Sequence, residues 1–117
     1  MKQQISVAAL VATTPRHLVK QDGQPITSFR VAANTGDAET NWYTLTCYGQ
    51  LAVNVAASVH KGERILIVGT LRIRDWDNGE RAGTSAEIEA DSIGHDLCWG
   101  TSTYARNVEV RSMVSAD

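Results

Sequence analysis

No apolar run in these 117 residues is long enough to cross a membrane. Met1–Ile5 also lacks the basic segment and following apolar stretch of a secretory leader, so the expected location is the cytoplasm. Cysteine is scarce. Cys47 and Cys98 are the only two, and thiols in such a chain are expected to stay reduced and act as small apolar residues. They lack metal-ligand spacing, and His17, His60 and His95 show no C-x-x-C or H-x-x-x-H grouping near them, so neither a metal nor a cofactor is expected. Nothing supplies a Gly-rich phosphate cradle. A nucleophile with its base is missing too, because Cys47 reads as inward on a strand and His60 as the end of a helix. No catalytic residue is assigned, and the chain is not expected to be an enzyme. There is no internal repeat and no low-complexity stretch.

Basic excess is absent as well. A net charge of -2 weighs against a broadly cationic nucleic-acid binder. The distribution matters more than the sum. Lys2, Arg16, Lys20 and Arg30 face only Asp22 within the first 36 residues, whereas Asp75, Asp77, Glu80, Glu87, Glu89 and Asp91 cluster later. A local basic groove is compatible with this pattern, and binding there would be salt-sensitive.

What is present reads as one globular domain, with 43% hydrophobic and 21% charged residues. Gln4–Ala12 is partly alternating and forms a first strand, ended at Thr14-Pro15. Gln21–Pro25 is a turn by composition. Thr27–Ala33 forms a second strand, with Phe29, Val31 and Ala33 on one face and Arg30 on the other. A polar loop follows at Asn34–Asn41, and Trp42–Tyr48 is a third strand rich in aromatic and β-branched residues. The period then becomes helical over Leu51–His60, stopped by Lys61-Gly62. Arg64–Trp76 is a long fourth strand with Gly69 as a bending point, Asp77-Asn78-Gly79 a turn, and Ser85–Ile93 a fifth strand. The last strand points Ala86, Ile88 and Ala90 inward and Glu87, Glu89 and Asp91 outward. This order, three strands, a helix and two strands, is that of an all-β, five-stranded OB-fold barrel with its helix between the third and fourth strands.

Within the fourth strand Arg72, Arg74 and Trp76 alternate with Leu71 and Ile73. Side chains two apart share a strand face, so two guanidinium groups and an indole stand in a row while Leu71 and Ile73 point into the core. Guanidinium binds phosphate and an exposed indole stacks on a base, which suits single-stranded nucleic acid. An ordinary amphipathic strand with a solvated polar face gives the same pattern.

Ser28–Asn34, Trp42, Tyr48–Ala56 with Lys61-Gly62, Val68–Trp76 and Thr84–Ile93 together resemble the bacterial single-stranded DNA-binding protein family, over about Gln4–Gly94 and without disturbing the element order. The resemblance implies a domain over residues 1–94 that assembles as a homotetramer. It would bind single-stranded DNA without regard to sequence in replication, repair and recombination, in association with the nucleoid. By the same resemblance Trp42, Tyr48 and Trp76 stack on bases. Trp42, Thr44, Thr46 and Tyr48 also share a strand face by spacing alone. Core or subunit packing is the plain alternative for Trp42 and Tyr48. Arg72 and Arg74 are expected to contact phosphate, with Arg30 and Lys20 as lesser partners.

The chain departs from the family at Ala9-Leu10-Val11, where a Gly-Asn-Leu is common, and in the 34–41 loop, which has no aromatic. The family's acidic-hydrophobic tip is also missing at Met113–Asp117, so recruitment of repair enzymes through a tail is not expected. His95–Arg106 resembles a segment that in some branches adds a strand pairing with a neighbouring subunit. Residues 95–117 are therefore expected to form an extension in the subunit interface, with Trp99 and Tyr104 as anchors. Across a symmetry axis Cys98 could pair with its mate, although a free thiol is the plainer state in a reducing compartment. The competing class is an OB-fold primosome-type or protein-interaction module with reduced DNA binding. Retention of Arg72, Arg74 and Trp76 speaks against it.

Overall fold

The computed structural model describes residues 2–34 and 40–107, the side chains of Lys2 and Asn34 excepted. Six strands and one helix follow in the order β1 (Lys2–Val11), β2 (Arg16–Val19), β3 (Pro25–Asn34), β4 (Thr40–Tyr48), α1 (Gly49–Ser58), β5 (Arg64–Asp77) and β6 (Ala82–His95). The strands form one sheet in the order β1-β5-β6-β4-β3-β2, and it curls until β1 meets β3 through Leu10↔Ala32 and Val11↔Val31. That contact closes a narrow ring of the five expected strands. The loop read at Asn34–Asn41 falls mainly on residues 35–39, outside the described residues, as does the end at Met113–Asp117.

Alternation decides the inside of this ring. Val7, Ala9 and Val11 of β1, Phe29, Val31 and Ala33 of β3, Leu45 and Cys47 of β4, Ile65 and Ile67 of β5, and Ile88 and Ala90 of β6 pack together. Each series keeps the two-residue period of a strand buried on one side. The helix plugs one end with Ala52 and Val55, and Val59 follows it into the core. Gly62, at φ 92°, then donates to the Val11 carbonyl while the Val11 N–H donates to Glu63, which pins the helix exit to the end of β1.

Gly69 serves as more than a bend. A Cβ there would run into the Glu89 carbonyl and lie 2.9 Å from the Ala90 Cα. The ladder between β5 and β6 shifts register at this point, pairing Val68 with Ser92 but Gly69 with Ala90, so Asp91 is the extra residue of a bulge. The bulge also reverses parity: Ile88 and Ala90 face inward before it and Ile93 after it, while Ala86, expected inward, stands opposite Ile73 outside the core cluster.

One expectation needs correction. Ile73 is 56% exposed and outside the core, because the β5–β6 ribbon runs past the barrel. Beyond Lys2↔Arg72 it has lost β1, and β4 reaches only Glu87–Glu89, so among the described residues no layer covers Ile73. Residues 96–107 form no strand with the sheet of their own chain and lie back along the barrel as a strap. The strap is held by a turn at Asp96, whose carbonyl accepts from the Trp99 N–H, and by Asn54 Nδ2 donating to Asn107 Oδ1 at 2.7 Å. Strand β2 was not expected at all. Its four residues are all exposed, so they carry no apolar alternation, and they are fixed by pairing with β3. Among the described residues no helix is long and apolar enough to cross a membrane.

Candidate nucleic-acid interface

The convex side of the sheet gathers the residues singled out above. Paired residues in a ladder point the same way, so register maps this surface row by row. One row crosses from Arg16 through Ser28, Thr46 and Glu89 to Thr70. The next runs Arg30, Thr44, Glu87, Arg72. Further along β5, Arg74 stands opposite Ser85 and Trp76 opposite Gly83, while on β4 Trp42 stands opposite Ala32 and Tyr48 opposite Ile26.

The three rings remain outside the core: Trp42 is 50%, Trp76 42% and Tyr48 38% exposed. Each is placed by its backbone. Tyr48 is the last extended residue of β4, and Gly49, at φ 68°, turns the chain abruptly into α1, leaving the phenol on the outer face. Trp42 lies beneath Arg30, whose guanidinium carbon is 5.3 Å from the ring centroid, within the range of a cation–π contact. Trp76 lies flat over Gly83: a Cβ at that glycine would be 2.7 Å from Cζ2 and 2.9 Å from Cε2 of the indole. One face of Trp76 therefore rests on backbone.

Arg72 and Arg74 point outward, but neither head is unengaged. Arg72 Nη2 lies 3.3 Å from Glu89 Oε1, and Arg74 Nη2 lies 3.5 Å from Glu87 Oε1. Both contacts are diagonal, each arginine reaching past its direct partner to the next carboxylate along β6. The row of guanidinium groups is thus an alternation of charges. Lys20 sits just beyond β2, where its N–H donates to the Gln24 carbonyl in the hairpin turn completed by Gly23. Arg16 was missed as a member of this face. It belongs to the short β2, whose exposed residues gave no strand pattern, and only the pairing Arg16↔Ser28 places it.

The remaining titratable groups lie elsewhere. Cys47 is buried and its thiol contacts the Thr27 carbonyl at 3.6 Å; burial pushes its pKa up to about 11, so it has little thiolate character. Behind the sheet, Glu63 accepts from the His60 N–H and from His95 Nε2, both at 2.9 Å. Burial works to raise the pKa of Glu63, but these hydrogen bonds outweigh it and leave the carboxyl below its ordinary value. Because an ionised carboxylate only accepts, neutral His95 donates from Nε2, and its Nδ1 accepts from the Ser102 hydroxyl at 2.8 Å. Trp99, on the strap, lies 4.1 Å from the Arg64 guanidinium; Tyr104 and the free thiol Cys98 are exposed. Among the described residues no group of three or more His, Cys, Asp or Glu is placed to hold a metal ion.

Comparison with known proteins gives a consistent answer. The model of the single-strand binding protein family matches residues 2–96. Single-stranded DNA-binding protein 2 of Tropheryma whipplei is 42% identical over 87% of this chain and 74% of its own. Single-stranded DNA-binding protein 1 of Streptomyces coelicolor is 32% identical over 90% of this chain and 73% of its own. Among solved structures, the small single-stranded DNA-binding protein from Streptomyces coelicolor superposes with a TM-score of 0.79 at 32% identity, covering 86% of this chain and 99% of that one. The second single-stranded DNA-binding protein from Mycobacterium smegmatis gives 0.74 at 29% identity, covering 91% and 100%. With the ring of strands, the plugging helix and these matches together, the chain is an OB-fold protein that belongs to the single-strand binding protein family.

Proposed function

We propose that this protein binds single-stranded DNA without regard to sequence, by stacking bases on Trp42, Tyr48 and Trp76 and engaging phosphates with Arg16, Arg30, Arg72 and Arg74. The observation that carries the reading is the outward placement of three rings on the surface that holds these four guanidinium groups. Stacking is worth roughly 1–3 kcal/mol per base, more than an exposed ion pair supplies, so the rings dominate. Every base has a π-face, which makes the interaction indifferent to sequence. Lys20, at the hairpin beyond β2, is a lesser phosphate partner. The role is protection of unpaired DNA during replication, repair and recombination in the cytoplasm, with no chemical step.

Tryptophan fluorescence should fall when oligo(dT) is added, and Trp76→Ala should weaken binding to oligo(dT), oligo(dC) and oligo(dA) alike. Absence of quenching would end the reading and favour an interaction module that has given up DNA.

Assembly as a homotetramer is part of the proposal. Among the described residues β1 pairs over Gln3–Ala9 with β5 alone, which leaves one edge of its ladder open, and the adjoining convex surface exposes Ala8, Leu66 and Val68. An open edge beside apolar surface favours pairing with another copy. The strap contributes to the same contacts through Trp99 and Tyr104. Cys98, if it meets its mate there, would give a dimer on non-reducing gels that Cys98→Ser abolishes. Native mass measured with oligonucleotides of graded length tests the assembly.

A further inference from the structure

We infer that Glu87 and Glu89 act as built-in anionic competitors for the DNA backbone, occupying Arg72 and Arg74 until phosphate displaces them. This rests on the single-stranded DNA reading above and concerns its regulation. The two carboxylates are not peripheral. Glu87 is flanked by Thr44 on β4 and Arg72 on β5, and Glu89 by Thr46 and Thr70, so both stand between the Trp42–Tyr48 strand and the arginine strand. A polynucleotide crossing from one set of rings to the other passes over them, and like charge repels its phosphates there.

The pairs are built for exchange. Each is a single contact, at 3.3 and 3.5 Å, longer than a well-formed charge-assisted hydrogen bond. Both arginines are also substantially solvated, at 43% and 64% side-chain exposure. Arg72 Nε is shielded from solvent and has no hydrogen-bond partner among the described residues, so Glu89 leaves that guanidinium incompletely satisfied. A phosphate, with more acceptor oxygens, can engage the exposed Nη groups, of which the carboxylate takes one. The gain on binding is then the difference between two anions rather than the full value of one, and each released carboxylate takes up solution cations. Both effects lower affinity and flatten its dependence on salt.

The test compares Glu87→Gln, Glu89→Gln and the double variant with the unaltered protein, by fluorescence titration with oligo(dT) over a range of salt concentrations. Glutamine keeps the shape and removes the charge. Each single change should tighten binding roughly two- to five-fold, the range set by exposed ion pairs. The double change should tighten it further, with a steeper salt dependence. Unchanged or weaker affinity in variants that retain the Trp76→Ala effect would overturn the inference while leaving the parent reading standing. Loss of quenching in the unaltered protein would instead remove the parent reading, and this one with it.

Discussion

The indole of Trp76 lies so close over Gly83 that a methyl group on the glycine would come within 2.7 Å of Cζ2. The glycine is the floor on which the ring rests, and the flatness of that floor keeps the opposite ring face turned outward. Gly83→Ala should therefore lift the ring and cost DNA affinity, without any loss of a group that touches DNA. The expected loss approaches that of Trp76→Ala, roughly 1–3 kcal/mol. Parallel oligo(dT) titrations of the two variants check it, and an unaltered affinity for Gly83→Ala would count against the seating role.

Arg16 offers a test of the convex map. If it meets a phosphate, Arg16→Ala should reduce the slope of log affinity against log salt by roughly 0.7, the contribution of one neutralised phosphate on a single strand. Arg81, on the β5–β6 turn, serves as a comparison cation. An identical slope for Arg16→Ala and the unaltered protein would take Arg16 off the surface.

Much of this architecture was legible in the sequence, because strands buried on one side write their period into it. Thr27–Ala33 and Trp42–Tyr48 kept the predicted faces, and the helix shifted only from Leu51–His60 to Gly49–Ser58. Three features were not legible, each for a physical reason. Strand β2 has no buried face and so no pattern. Ile73 has the alternation of a core residue, but whether anything covers it depends on where β1 and β4 stop. The pairing of Arg72 with Glu89 and Arg74 with Glu87 follows from register, which a bulge at Asp91 helps to set and which no local spacing reveals.

Thr27 is the one buried polar side chain of the core among the described residues. Its hydroxyl donates to the Ala52 carbonyl at 2.8 Å, so its oxygen accepts from His17 Nδ1, also at 2.8 Å, which fixes that ring's proton on Nδ1 when neutral. Thr27→Val keeps the shape but removes both hydrogen bonds, while the Ala52 carbonyl keeps its place in the helical ladder. The expected loss is roughly 1–3 kcal/mol, read as a lower midpoint of urea unfolding.

Acid should loosen the strap before it unfolds the barrel. The carboxyl of Glu63 titrates below its ordinary value of 4.5 in the folded chain, so its contribution is complete above that pH and fades as pH falls through the lowered value. Glu63 is half-exposed, which limits the effect to less than about 1 kcal/mol. Fluorescence of Trp99, isolated by replacing the other two tryptophans with phenylalanine, should report the change. Glu63→Gln should remove this step from the acid titration.

The ribbon that carries Trp76 beyond the reach of β1 and β4 is a two-stranded arm extending from a closed ring of strands. Among the described residues its amides beyond Arg72 are secured by one ladder alone, so deuterium should enter there far sooner than at Ile65, Ile67 or Leu45. In a chain made this way the arm can open locally while the closed ring keeps its own hydrogen bonds.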